Sequence, residues 1–343
     1  MIVLAGWYAH VVDVCGAFLL GTFKPGVKLI YMEVPQGSEW FYLADYGLLL
    51  LQTLYGLKQA AWAFWKCLLE VLCKLQYKHN AANPCVYFRW LNDGTLNIWS
   101  SWVNDMLNAG AKSGVMTAVE QFKKQFKCDD VGELREYVGC KIEIKYEKRY
   151  AKLTQPVLLQ SLQDEFVLPE GEAPATPAVP GNVFEPIKGK PLQSRLQKIN
   201  RKGIGKLLHL MKWSRPESMN AVCEESWFMT EAGLEHNDTM YRTMKYMLNS
   251  PDQGWVLAPN AMWDVTKNFE FEISGVSDSD FAKDPIQGQS VSGYVVYLNG
   301  APVSIKSKMQ ECNTTSVRRL NWLLEPIVCR TCCLSCACWS QWN

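Results

Sequence analysis

Leu96 to Gly110 reads LNIWSSWVNDMLNAG, the pattern of a strand, a tight turn and a second strand. Ile98, Trp99, Trp102 and Val103 supply β-branched and aromatic residues before the turn. Met106, Leu107 and Ala109 follow it, and Gly110 stops the run. Asn104-Asp105 is expected at the tip. A carboxylate there stands on a rigid platform yet can reach a metal or a phosphate. Asn-Asp is also ordinary turn chemistry, so the neighbouring segments have to decide between the two readings.

Upstream, Val11-Val12-Asp13-Val14 places one carboxylate in an apolar strand, which is costly unless it is paired, hydrated at a strand end or bound to a cation. Lys24-Pro25-Gly26 reads as a turn and Leu29 to Val34 as a second, alternating strand. Leu48 to Leu57 closes on Tyr55-Gly56-Leu57-Lys58-Gln59. A helix follows, with Trp62, Trp65, Leu68, Leu69, Leu72 and Leu75 at helical spacing. Lys58 sits at its mouth, where a cation could meet a phosphate or simply face water. Cys85 to Leu91 and Thr95 to Val103 form a hairpin around Asn92-Asp93-Gly94. Beyond the central stretch, Val115, Val119, Phe122 and Phe126 mark the apolar face of a helix carrying Lys123, Lys124 and Lys127. Val138 to Tyr146 returns as a strand. The first 150 residues therefore predict an α+β sheet layered with helices, akin to a split βαβ unit. If the first strand pairs beside the hairpin, Asp13 and Asp105 converge, supplying hard oxygen ligands of the kind magnesium takes.

The 343 residues are 48% hydrophobic and 20% charged, a globular composition with room for two or three domains. Lys+Arg 35 against Asp+Glu 34 leaves +1, so no global field marks a nucleic-acid or membrane partner, and nucleic-acid binding has to use a local patch. The 13 cysteines are odd in number and mostly scattered, which suits a reduced intracellular chain better than a disulfide framework. No signal peptide opens the sequence and no apolar run reaches membrane-spanning length. The expectation is an intracellular protein of cytoplasm or nucleus, not secreted, whose Asn-x-Thr triplets at Asn237 and Asn313 carry no glycan.

Five blocks in order resemble the copia-type retrotransposon reverse transcriptase: Asp13-Val14-x-x-Ala17-Phe18-Leu19-x-Gly21; Tyr31-Met32-Glu33-x-Pro35-x-Gly37; Leu54 to Ala60; Asn83-Pro84-Cys85-Val86-Tyr87; and Trp102-Val103-Asn104-Asp105-Met106-Leu107-x-Ala109-Gly110. The resemblance implies an RNA-directed DNA polymerase palm, an antiparallel sheet with packed helices. Its three aspartates fall on Asp13, Asn104 and Asp105. Lys58 and Gln59 would meet nucleotide or template, and the implied partners are primer-template, deoxynucleotides and other products of the element.

The departures point to impairment. The family's adjacent aspartates read Asn104-Asp105 here, and an amide offers a carbonyl oxygen but no charge to magnesium. A loss of about a hundredfold or more in rate is expected. The family's Pro-Arg after Ala60 is replaced by Ala61-Trp62, an indole where a guanidinium could meet a phosphate. The chain opens almost at the first block, so most of the fingers are expected to be missing.

Residues 151–265 resemble the family's thumb and connection more weakly, through Leu153-Thr154-Gln155, Ile204 to Met211, Ser214-Arg215-Pro216-Glu217 and Met240 to Gly254. His209 and His236 read as helix-surface or core residues. Residues 266–325 resemble a partial ribonuclease H-like α/β domain. Phe269, Phe271 and Ile273 lead into Ser277-Asp278-Ser279-Asp280, and Asn299-Gly300 signals a hairpin. Asp278 would be the first metal ligand of RNA cleavage, but Ser316-Val317-Arg318-Arg319-Leu320 stands where the family places its glutamates, so that site is expected to be dead. The tail, 326–343, matches nothing. Its abutting Cys-x-x-Cys pairs make poor tetrahedral geometry, and zinc is not expected there.

Overall fold

The computed structural model describes residues 1–23, 29–42, 46–181, 185, 187, 189–265, 269–280 and 288–310. The Lys24-Pro25-Gly26 turn, the Ser316–Leu320 stretch and the cysteine-rich tail lie outside the described residues.

One turn of helix, α1 (Ile2–Ala5), leads into β1 (Tyr8–Val14). Two short strands, β2 (Tyr31–Met32) and β3 (Leu48–Leu49), pair with each other. The long strand expected over 29–34 therefore shrinks to two residues. Helix α2 (Ala60–Lys74) follows, then β4 (Lys78–His79), β5 (Val86–Trp90), β6 (Leu96–Trp102), β7 (Asp105–Gly110), α3 (Lys112–Lys123) and β8 (Cys128–Glu133). The strands form one antiparallel six-stranded sheet in the order β4-β5-β6-β7-β1-β8. Because β1 lies between β7 and β8, the unit β7–α3–β8 is a split βαβ.

Both helices cover the same face. Phe64, Leu68 and Leu72 of α2 and Val115, Val119 and Phe122 of α3 pack with Val12, Val14, Trp99 and Met106 in one core. The buried stripe of α2 thus runs through Phe64, whereas Trp62, expected on it, is 54% exposed. Side chains alternate along a strand, so Ala9, Val11 and Ala109 turn to the opposite face, where Trp7 and Trp263 seal a second core. Within the helix-covered layer, Asn97 and Asn108 are buried and exchange amide hydrogen bonds of 2.9 and 2.8 Å, with the Tyr77 hydroxyl donating to Asn97 at 2.6 Å. This closed network satisfies what would otherwise be costly buried amides.

The segment expected as a returning strand over 138–146 forms β10 (Cys140–Lys145), but it joins a different sheet. β9 (Glu136–Tyr137), β10, β11 (Tyr150–Thr154) and β12 (Trp255–Leu257) order as β12-β11-β10-β9. The strand that returns to β1 is β8, whose polar Cys-Asp-Asp-Val-Gly-Glu carries no alternating apolar signal. It is a strand because its backbone pairs with β1.

Helices α4 (Pro156–Glu165), α5 (Ser194–Trp213), α6 (Met219–Ser226) and α7 (Leu234–Asn249) form a bundle around Leu162, Ile204, Leu207, Met240, Met244 and Met247. Arg215 is fully buried and works as a bracket. It donates to the carbonyls of Met247 and Ser250, to the Ser250 hydroxyl at 2.8 Å and to Glu217 at 2.5 Å, satisfying carbonyls left over at the end of α7. His236 is a core residue: its Nδ1 accepts from Gly233 N, and its ring stacks on Phe228. His209 lies on the exposed side of α5, 2.8 Å from the Gln155 amide. Finally β13 (Ile273–Asp280), β14 (Val291–Leu298) and β15 (Ala301–Met309) make an antiparallel three-stranded sheet, with the β14–β15 turn at Asn299-Gly300 as expected. Among the described residues no helix is long and apolar enough to cross a membrane.

Candidate active site

The alternation that sends Val12, Val14 and Met106 under α2 and α3 sends Asp13 and Asp105 to the opposite face. In the β1–β7 register these two residues are direct partners, Asp13 opposite Asp105. The β6–β7 pairing ends at Trp102 opposite Asp105, so the two loop residues are Val103 and Asn104. This corrects the expected tip by one position: Asp105 is the first strand residue and takes its direction from the sheet. Val103 has φ 59°, while Asn104 is not in the positive-φ region, the pattern of a type II′ turn. A β-branched residue is strained there, where glycine is preferred.

Asn104 fastens the loop to β1 twice. Its carbonyl accepts from Val14 N at 3.0 Å and its side-chain amide donates to Asp13 Oδ1 at 2.5 Å. Asp13, Asn104 and Asp105 are all half-buried. Partial burial, and after it the charge of Asp13, push the Asp105 carboxyl above the usual carboxylate range. Tyr137 closes the side, donating from its hydroxyl to the Asp105 carbonyl at 3.2 Å.

Two facing carboxylates whose charges oppose each other suit a hard divalent cation in donor chemistry. They are two carboxylates, not three. Among the described residues no group of three or more His, Cys, Asp or Glu is arranged to hold a metal. Asn104 spends its amide on Asp13, partly neutralising the carboxylate a cation would need.

Lys58 and Gln59 come to the N-terminus of α2, with Lys58 exposed. That end is pinned beside the segment leaving β1. The Thr53 hydroxyl donates to Phe18 O at 2.6 Å, Thr53 N donates to Gly21 O, and Phe18 and Tyr55 meet edge to face at 5.2 Å. Gly21 has to lack a side chain: a Cβ would come 2.5 Å from Thr53 Oγ1 and 2.6 Å from Ala63 Cβ. Lys123 is not a free cation for nucleic acid. It pairs with Asp130 at 2.8 Å, and His10 meets the other oxygen at 2.7 Å. The Lys123 hydrogen bond holds Asp130 below its usual range, with help from His10. Lys124 and Lys127 remain exposed. Asp129, on the strand missed from sequence, stands opposite Asp13 on its other side. Hydrophobic pattern gave no hint of it, since only the pairing of β8 puts it there.

Asp278 belongs to the separate three-stranded sheet, on β13, exposed and accepting from Ser279 N. With Glu217 and Asn220 it lines a cavity of about 420 Å³ between that sheet and the start of α6.

A family profile described as reverse transcriptase (RNA-dependent DNA polymerase) matches residues 1–180, which hold the whole six-stranded sheet and both its helices. The chain belongs to the reverse transcriptase family. It is 27% identical over 318 residues to the retrovirus-related Pol polyprotein from transposon TNT 1-94 of Nicotiana tabacum, covering 91% of this chain and 23% of that protein. It is 26% identical over 307 residues to the Pol polyprotein from transposon RE1 of Arabidopsis thaliana, covering 89% and 20% respectively. A putative transposon Ty5-1 protein of Saccharomyces cerevisiae is 25% identical over 308 residues, covering 86% of this chain and 92% of that one. The chain thus spans about a fifth to a quarter of the retrotransposon polyproteins it matches. These relatives support its place among copia-type elements.

Proposed function

We propose that the chain is the polymerase portion of a copia-type retrotransposon Pol protein, with a nucleotidyl-transfer centre at Asp13 and Asp105 that Asn104 leaves impaired. The observation that carries this reading is the direct pairing of Asp13 with Asp105 on the face of the sheet opposite α2 and α3, beside a loop that lacks the third carboxylate. The reaction joins a primer 3′-hydroxyl to the α-phosphorus of a deoxynucleoside triphosphate and releases pyrophosphate. Asp13 and Asp105 would hold magnesium, which supplies positive charge to the phosphoryl oxygens. Lys58 and Gln59, at the mouth of α2, would meet nucleotide or template. In this reading residues 1–150 are the palm, 151–265 the thumb and connection, and 266–325 a partial ribonuclease H-like domain in which Asp278 is the first carboxylate.

Primer extension on an RNA template, with and without magnesium, tests the proposal. Extension that needs magnesium and disappears in Asp105→Ala supports it. A second reading is a relic that grips primer-template without extending it; the Asn104 amide bonded to Asp13 favours it. Folded protein that binds primer-template and extends nothing, even after Asn104→Asp, would replace the first reading by the second.

A further inference from the structure

A large apolar surface lies outside the three cores, on the ribbon made by β2 and β3 and on the chain that joins them. Leu29-Ile30-Tyr31-Met32 runs against Leu48-Leu49-Leu50-Leu51. Tyr31 stands opposite Leu49, Met32 opposite Leu48, and Leu50 N donates to Ile30 O at 3.0 Å. All eight residues are hydrophobic, the composition of strands buried on both faces. Alternation divides them into two sets. Ile30, Met32, Leu48 and Leu50 are half-buried. Leu29, Tyr31, Leu49 and Leu51 are 62%, 60%, 42% and 77% exposed. The connection between the strands adds Trp40 and Phe41, 81% and 77% exposed, their rings edge to face at 6.2 Å.

The size of this surface bears on what covers it. At roughly 100 Å² for a leucine and 200 Å² for an aromatic side chain when fully exposed, these six residues offer on the order of 600 Å². That is the upper end of the apolar patch a monomer keeps in water. A stable interface needs about 1,000 Å² in total, and two such faces pressed together bury on the order of 1,200 Å². A two-stranded ribbon, marginal by itself, is stabilised by the same contact.

Charge favours a like partner. Residues 29–32 and 48–51 carry no charge, and Glu33, exposed just after β2, begins a polar rim. A nucleic-acid backbone or a charged peptide finds no counter-charge on this face, whereas a second copy buries no unpaired charge. The net charge of +1 sets up almost no repulsion between copies. Because both partners use the same patch, a twofold axis closes the assembly at two.

We infer that the outer face of the β2–β3 ribbon is the contact between two copies of this chain, packed ribbon against ribbon as a two-layer sandwich. The inference stands whether or not the chain polymerises. Sedimentation of the full chain over a range of concentrations tests it. The chain should pass from monomer to dimer with a dissociation constant on the order of 10 μM. Leu51→Asp places a carboxylate in the contact on each copy. It should weaken association by about a hundredfold or more, while melting with the wild type where both are dilute and monomeric. Trp40→Ser removes area without adding charge and should weaken association by about tenfold or more, which keeps the test should Leu51→Asp fail to fold. Val157→Asp, at a comparably exposed residue of α4, should leave the dimer unchanged. The inference is overturned if the folded chain stays monomeric to about 100 μM, or if it forms an open series of larger species. It is equally overturned if Leu51→Asp and Trp40→Ser both associate as the wild type does, or if Val157→Asp dissociates the dimer as well. Displacement of the second copy by a single-stranded RNA oligonucleotide would assign the face to nucleic acid and overturn it too.

Discussion

Replacing Asn104 by Asp restores the carboxylate of the family pattern, and the structure says what this costs without a metal. The Asn104 amide donates to Asp13 Oδ1 at 2.5 Å, and a hydrogen bond to a charged group contributes about 1.5–3 kcal/mol. The aspartate can no longer donate, and it adds a further negative charge beside Asp13 and Asp105, where Asp129 already flanks Asp13 on its other side. At about 4 Å that repulsion lies between roughly 1 kcal/mol in water and roughly 4 kcal/mol near a protein surface. Solvent at this half-open site keeps it toward the low end. The metal-free variant is therefore expected to be about 3 kcal/mol less stable than the wild type at neutral pH, a fall of roughly 6–12 °C in melting temperature. Millimolar magnesium should recover most of that fall in Asn104→Asp and shift the wild type much less. The deficit should also shrink toward mildly acid pH. Asp105 already titrates above its usual range, so its protonation relieves the cluster early as pH falls. The assay is thermal melting of both proteins in chelator and in magnesium, followed by primer extension. A variant that melts with the wild type in chelator and ignores magnesium would refute the reasoning that the Asn104 amide stabilises the fold by partly neutralising Asp13.

Three further predictions concern the scaffold. Val103→Gly should raise the melting temperature, because it removes about 1–2 kcal/mol of strain at φ 59°; an unchanged or lower melting point would show that the loop is not strained in the free protein. Arg215→Met should destabilise the helical bundle by about 3–5 kcal/mol by stranding Glu217 and the carbonyls of Met247 and Ser250; denaturant titration measures it, and a loss below about 1 kcal/mol would contradict the bracket. Glu225 is 1% exposed, accepts from the Thr243 hydroxyl, and is pushed by burial from 4.5 up to about 8. The fold favours its neutral form, so the stability is fully present below pH 4.5, falls as pH rises to about 8, and then levels. Glu225→Gln should be more stable than the wild type by a margin that grows through this window toward at most about 5 kcal/mol. Parallel stability curves for the two proteins over that window would disprove the assignment.

Much of this was legible in the chain. The apolar spacing of Val115, Val119 and Phe122 and of Leu68 and Leu72 gave the helices and their buried faces, because a 3.6-residue period leaves a stripe that has to face a core. Asn92-Asp93-Gly94 and Asn299-Gly300 gave two hairpins, since few residues accept the backbone of such turns. The ordered blocks around Asp13, Gly21, Lys58 and Asp105 gave the family. Other features were not legible, and each depends on pairing between distant segments. The polar strand β8 exists only because its backbone completes the edge of β1, which no hydrophobic pattern encodes. Trp62 sits on the open side of α2, since the short Ala60 and Ala63 and the ring of Phe64 fill the space against Gly21 and the sheet. Arg215, read as part of a motif, is a bracket because α7 ends next to it. The sequence by itself determined which residues alternate and which repeat, and hence the elements and the family. Tertiary structure alone decided that Asp13 faces Asp105, that Val103 and Asn104 make the loop, and that the Asn104 amide is bonded to Asp13. Register is a relation between strands some ninety residues apart in the chain, and only the packed sheet fixes it.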